Sequence, residues 1–196
     1  MKKKIKAIFG LIVAFPQMLI FICCCRGGKI KKDLIHWKSV YRLENINDVW
    51  AFCYLMMSYP ELRSIFYWRL GKLAKFIFFW LPGRTNLFLF TDSKNVEGGF
   101  FVVHGWGTVV NASYIGVNFC VGQNVTIGSR NCKEPNIGNN VSIWTNAIVL
   151  GDIDIGNNCQ IGAGAVVVKS LPHNCVVVPS KSLIIRQNGE KCNLSL

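Results

Sequence analysis

Aliphatic side chains return every six positions through the second half of the chain. Val103, Val109, Ile115, Val121 and Ile127 form one series, and after four extra residues Ile137, Ile143, Val149, Ile155, Ile161 and Val167 continue it. Glycine follows directly at Gly116, Gly122, Gly128, Gly138, Gly156 and Gly162, and a small or apolar residue stands four places on at Val125, Val141, Ala147, Cys159 and Ala165. A strand repeats every two residues and a helix every 3.6, so a sustained period of six predicts a parallel β-helix of hexapeptide repeats. Each aliphatic residue then points into a stacked core, and glycine or asparagine turns the corners. Asn139-Asn140 and Asn157-Asn158 fit such corners, where φ is positive. Three six-residue faces make a coil of about 18 residues, so residues 97–178 hold roughly four to five coils. The extra residues fall within SRNCKEPN (129–136), which must loop out of the solenoid.

The first half follows a different pattern. Ile5 to Cys25 is nearly all apolar, broken only near its middle by Pro16-Gln17 and flanked by basic residues on both sides. A cleavable leader would need a small-residue cleavage site, and CCCRGGKIKK follows instead. One membrane span is about long enough, yet the proline interrupts it and both flanks favour the same side of a membrane. A bent, re-entrant or interfacial form meets both conditions.

Two further helices are expected within residues 45–83, the first capped by Asn47 and the second started by Pro60. On the second, Glu61, Arg69, Lys72 and Lys75 fall within about 120° of one another, while Phe66, Trp68, Phe76, Phe79 and Trp80 cover much of the rest. Such a narrow basic stripe on an aromatic helix suits a membrane interface. The alternative is that part of this surface packs on the following domain or on a neighbouring subunit.

Charge divides the chain at the same place. The net charge is +12, and residues 1–90 carry 15 Lys/Arg against 4 Asp/Glu, whereas residues 91–196 carry 7 against 6. Residues 1–90 therefore read as a helical, membrane-associating region and residues 91–196 as the β-helix domain. The basic residues flank apolar runs, which argues for a lipid surface over nucleic acid. Nine cysteines show no CxxC pairing, so neither a metal site nor a disulfide framework is expected. Cys23, Cys24 and Cys25 read as small apolar residues, with S-acylation the alternative.

Within VVHGWGTVV, His104 takes the corner place that glycine occupies in later repeats. Its ring is expected outside the core, where a neutral imidazole suits proton transfer. His36 and His173 are too dispersed to join it as ligands of the three-histidine zinc site that some proteins build on this fold.

These residues resemble the serine acetyltransferase branch of the hexapeptide-repeat acyltransferases, particularly members found in bacterial polysaccharide-synthesis clusters. The likeness spans roughly residues 54–190. It rests on SYPELRSIFYWRLG, GGFFVVHGWGTVV and the long run from GQNVTIGS to NCVVV.

The resemblance implies a left-handed parallel β-helix assembled as a trimer, with acetyl-CoA as acyl donor and no metal. It makes His104 the general base for an acceptor hydroxyl, with Asp92, in the strand expected before GGFFVVH, as the carboxylate that orients it; a solvated turn residue is the alternative for Asp92. Thr145 and Ala163 match positions that hold acetyl-CoA in a cleft between protomers, while Lys181 reads as a solvated lysine, with a contact to the CoA phosphates the alternative. Two departures concern the acceptor: Val103 stands where the serine enzymes have an aspartate, and Glu134 stands nearest to their second histidine. L-Serine is therefore a poorer fit than a saccharide or polysaccharide precursor, whose hydroxyl Glu134 would bind. The alternatives are a serine O-acetyltransferase and a non-catalytic membrane scaffold. Acetyl-CoA together with a membrane-seeking half implies the bacterial cytoplasm, at the inner face of the cell membrane.

Overall fold

The computed structural model of the chain describes residues 2–24, 28–180 and 183–195. Cys25 and Lys181 lie outside them. The second half is a three-faced parallel β-solenoid. Face 1 stacks Leu87–Leu89, Thr108–Val110, Thr126–Gly128, Ile148–Leu150 and Val166–Val167. Face 2 stacks Tyr114–Ile115, Asn136–Ile137 and Asp154–Ile155, extended by single bridges from Val96 and Leu171. Face 3 stacks Phe101–Val102, Cys120–Val121, Ser142–Ile143, Gln160–Ile161 and Val176–Val177. An antiparallel hairpin, Leu183–Gln187 with Glu190–Ser195, follows the last rung.

The hexad governs the core from Ile115 onward. Ile115, Val121, Ile127, Ile137, Ile143, Val149, Ile155, Ile161 and Val167 are all buried, as are the small residues Val125, Val141, Ala147, Cys159 and Ala165. On the edge between faces 2 and 3, Asn118, Asn140, Asn158 and Asn174 all adopt positive φ. Each of the first three donates its side-chain amide to the next, at 2.9–3.0 Å. The corner residue therefore serves twice, tolerating the left-handed turn and tying each rung to the next.

In the first rung the register departs from the expected phase. Val102 pairs with Val121 and Val110 with Ile127, and these two are buried while Val103 and Val109 are only half-buried. Inward positions therefore run Val96, Val102, Val110, Ile115. The segment from Val102 to Val110 is two residues longer than a hexad and the next is one shorter. The enlarged corner contains His104.

Among the described residues, six α-helices precede and flank the solenoid: α1 (Lys2–Val13), α2 (Phe15–Cys24), α3 (Lys29–Val40), α4 (Asp48–Ser58), α5 (Pro60–Leu70) and the short α6 (Ala74–Ile77). Asn47 caps α4, its Oδ1 accepting from the Val49 amide at 2.9 Å, and Pro60 opens α5. The second helix stops at Gly71, with φ of 109°, instead of continuing to residue 80.

That break overturns the expected basic stripe. Glu61 and Arg69 turn inward into ion pairs, and only Lys72 and Lys75 remain exposed. Phe66 is buried, and the Trp68 indole N–H donates to Thr91 O, so this part of the surface packs on the solenoid. Phe76, Phe79 and Trp80 stay exposed.

Side chains from α3 and α5 occupy the open backbone groups of the first rung. Asp33 Oδ1 accepts from Gly99 N and Phe100 N, both at 2.8 Å. Arg69 donates to Ser93 O, Val96 O and Glu97 O, and Trp37 Nε1 donates to Phe100 O. The Asp33–Arg69 pair itself is almost fully buried, with Nε to Oδ2 at 3.0 Å. Burial raises the Asp33 carboxyl above its ordinary value, against the pull of Arg69 and the two amides. Helices and solenoid share one continuous hydrophobic core, and the first strand, Leu87–Leu89, lies before residue 91.

Candidate active site

His104 sits on the edge where face 3 turns into face 1. It is exposed, and its φ of 64° lies in the left-handed region, which is uncommon for a residue with a side chain and clusters at functional sites. The turn is fixed from behind. Gly105 N donates to Val103 O at 2.9 Å, and Gly105, also at positive φ, is pressed against the core. A Cβ there would stand 3.0 Å from Val102 Cγ1 and 3.3 Å from Glu61 Cγ, so a larger residue would push the turn outward.

The same spacing places Glu61 directly behind the turn. Arg84 donates Nε and Nη2 to Glu61 Oε1, at 2.9 and 2.6 Å, and its guanidinium lies 4.0 Å over the Trp106 ring. Glu61 is buried, whereas Trp106 is about half exposed. This trio was not identifiable from the repeat pattern. Glu61 lies 43 positions from His104 and reads as the one acid of a basic helix. Only Trp106, two residues from His104 in a glycine-rich turn, carried a local signal.

Thr145 and Ala163 lie on the His104 edge. His104 turns the corner of the first rung, Thr145 that of the third and Ala163 that of the fourth, as the strand stacking requires. At a spacing of about 4.8 Å per rung, they stand roughly 10 and 14 Å along the edge from His104. Ala163 is exposed and Gly164 has open space where a Cβ would be, so an extended molecule meets little obstruction there. Trp144, partly exposed beside Thr145, is the largest side chain at that corner.

Asp92 and Glu134 lie on a different edge, between faces 1 and 2. Asp92 is not in a strand. It caps the short 3₁₀ turn Ser93–Asn95, with Oδ1 accepting from Lys94 N at 3.1 Å and Oδ2 3.2 Å from Lys94 Nζ. Those contacts, the backbone one foremost, hold its carboxyl below the ordinary range. It lines a groove of about 570 Å³ with Trp68, Lys72, Lys75 and Phe90, across face 1 from His104. Glu134 is half-buried in the 129–136 loop, where its carbonyl accepts from Ser113 Oγ. Within one chain, therefore, neither carboxylate is brought to His104. His36 is set against Gly99 O on α3, and His173 Nδ1 accepts from Asn157 N at the 2–3 edge, so the three histidines stay apart.

Stacked hexapeptide rungs define a parallel solenoid, and His104 presents an exposed imidazole on one corner of it. The family model for the bacterial transferase hexapeptide (six repeats) matches residues 134–169. The putative colanic acid biosynthesis acetyltransferase WcaB of Escherichia coli K12 is 34% identical over 154 residues, covering 76% of this chain and 83% of that protein. Serine acetyltransferase from Synechococcus elongatus is 38% identical over 96 residues, which are 46% of this chain but only 39% of that enzyme. Among solved structures, Entamoeba histolytica serine acetyltransferase isoform 3, crystallised with cysteine, aligns with a TM-score of 0.58 at 24% identity, over 93% of this chain and 66% of that one. This last likeness supports the fold. The chain belongs to the serine acetyltransferase-like hexapeptide-repeat acetyltransferases.

Proposed function

We propose that the protein moves an acetyl group from acetyl-CoA to a hydroxyl of a saccharide or polysaccharide precursor, with His104 as general base. The observation that carries this reading is one shared edge: an exposed imidazole on a left-handed turn, in line with Thr145 and Ala163 two and three rungs away. His104 takes the proton of the acceptor hydroxyl as its oxygen attacks the thioester carbon, and the C–S bond breaks. The imidazolium returns that proton to the departing thiolate, leaving ester and free CoA with no covalent enzyme intermediate.

The charges beside His104 favour a neutral acceptor. Val103 offers none, and Arg84 is already neutralised by Glu61. An amino acid with free ammonium and carboxylate groups finds no net complement on this rung, whereas Trp106 offers a flat ring and the Arg84–Glu61 pair offers polar groups.

Asp92 and Glu134 enter through assembly. A head-to-tail ring joins two different surfaces of each copy. In a homotrimer of left-handed coils, the edge of His104 meets the edge bearing Asp92 and Glu134 of the partner subunit. Glu134 then binds an acceptor hydroxyl and Asp92 orients the imidazole across the interface. The helical region holds the enzyme at the inner face of the cell membrane, near lipid-linked acceptors.

Serine O-acetylation is the second reading, supported by the likeness to the Synechococcus elongatus enzyme. Thiol release from acetyl-CoA, measured with purified full-length protein, separates the two. Turnover with oligosaccharide acceptors and little with L-serine is expected. Rapid acetylation of serine with none of any glycan would overturn the saccharide reading, and no turnover on a broad acceptor panel would leave a scaffold.

A further inference from the structure

The helical half buries one side of α1–α2 and leaves the other bare. Ala7, Gly10, Ala14, Gln17, Met18 and Phe21 face inward, and Gln17 Nε2 donates to the Tyr67 hydroxyl. Packing of α1 on α4 is close: a Cβ at Gly10 would lie 2.6 Å from Cys53 O. On the outer side Ile5, Ile8, Phe9, Ile12, Phe15 and Leu19 are exposed, Ile12 by 72%.

A second apolar group comes from a distant part of the sequence. Leu73, Phe76, Ile77 and Phe79 around α6 are 58–78% exposed. Trp80 Nε1 donates to Val13 O at 3.0 Å, which joins this turn to the α1–α2 junction. Beside Ile8, an apolar pocket of about 370 Å³ continues inward past Ile46, Trp50 and Tyr54. So much clustered, bare apolar surface signals an interaction site.

Charge identifies the partner. Residues 1–32 and 62–91, which supply both groups, contain no Asp or Glu, while Lys6, Lys72 and Lys75 are exposed among the apolar side chains. The bend between the first two helices favours shallow insertion over a straight crossing. No single helix among the described residues is long and apolar enough to span a membrane, and Ile5–Val13 and Phe15–Cys24 meet at 84°. Arms of nine or ten residues reach only about 15 Å, half of a bilayer's hydrocarbon core.

We propose that α1, α2 and the α6 turn form one monotopic docking surface for an anionic lipid leaflet, entered from one side and not crossed. The surface lies close to the candidate base. Trp80 and Arg84 lie four positions apart, a reach of at most about 14 Å, and Arg84 packs on Trp106 beside His104. The proposal deepens the reading of a membrane-facing acetyltransferase, yet lipid binding is measured without any turnover, so the two can fail separately.

Flotation of the full-length protein with phosphatidylcholine vesicles, with and without phosphatidylglycerol, tests it. The wild type is expected to float with the anionic vesicles, and less so at high salt. Phe76→Ser/Phe79→Ser changes two exposed residues outside the catalytic edge. It should weaken vesicle binding about a hundredfold while leaving turnover of a soluble acceptor unchanged. Lys72→Glu/Lys75→Glu should abolish the preference for phosphatidylglycerol. Failure to float would overturn the proposal. So would self-association that the serine variant removes while vesicle binding is absent, since the face would then join copies of the chain.

Discussion

Arg84 lies 4.0 Å over the Trp106 ring while its Nη2 stands 2.6 Å from Glu61 Oε1. A buried carboxylate is thereby connected, through one guanidinium, to an indole two residues from the candidate base. Arg84→Ala strips Glu61 of its partner, and breaking such a pair costs about 3 kcal/mol. Glu61→Gln keeps the shape and should cost less. If the trio shapes the acceptor pocket, Glu61→Gln raises KM for the acceptor with little change in KM for acetyl-CoA. Thermal unfolding and initial rates on both substrates check this, and equal effects on both KM values would reduce the trio to a structural support.

Removal of the imidazole should separate chemistry from folding. His104→Asn keeps a residue suited to the left-handed φ of 64°, so Tm should hardly move. Turnover should fall about 10²–10⁴-fold, the usual contribution of a general base. Single-turnover acetyl transfer with matched melting curves measures it. Retained activity would end the assignment.

The Asp33–Arg69 clamp carries a pH signature. Burial raises the Asp33 carboxyl above 3.8, and Arg69 is the main opposing influence. A carboxyl raised on folding favours the folded state below its unfolded value, and that contribution is lost as pH rises through its folded value. Arg69→Met raises the carboxyl further. The variant should lose about 3–5 kcal/mol at pH 7, and its deficit relative to wild type should shrink as pH falls toward 4. Urea unfolding across that range tests this; a deficit independent of pH would refute it.

Asn140 stands in the middle of the asparagine ladder, with partners at 3.0 Å on one side and 2.9 Å on the other. Asn140→Ala removes both bonds and places a Cβ-only side chain at φ 55°. A loss of about 1–3 kcal/mol is expected. Asn140→Gly relieves the turn but not the ladder and should lose less. Calorimetry of the pair separates strain from hydrogen bonding.

From Ile115 onward the solenoid was readable in the sequence because each six-residue unit makes the same local choice. An inward aliphatic residue, a small fourth residue and a turn-tolerant corner all agree. The reading slipped at Val103 and Val109, because the corner that bears His104 is the place where the repeat is broken. Extra residues there shift the inward positions to Val102 and Val110. His104 still faces outward. The basic stripe failed for another reason: charge periodicity cannot distinguish a solvated cation from one drawn inward by a remote carboxylate, as Arg69 is by Asp33. Glu61 and Arg84 were invisible for the same reason, being joined only by tertiary packing.

The side chains laid over the first rung have a consequence for assembly. A bare terminal coil presents unpaired amides and carbonyls to any passing strand, and such templates promote fibre growth. Here Asp33, Trp37, Trp68 and Arg69 already occupy those groups. The helices thus close the growing end of the solenoid, and a shortened chain that began at Leu87 would offer its open coil to the next molecule, end on end.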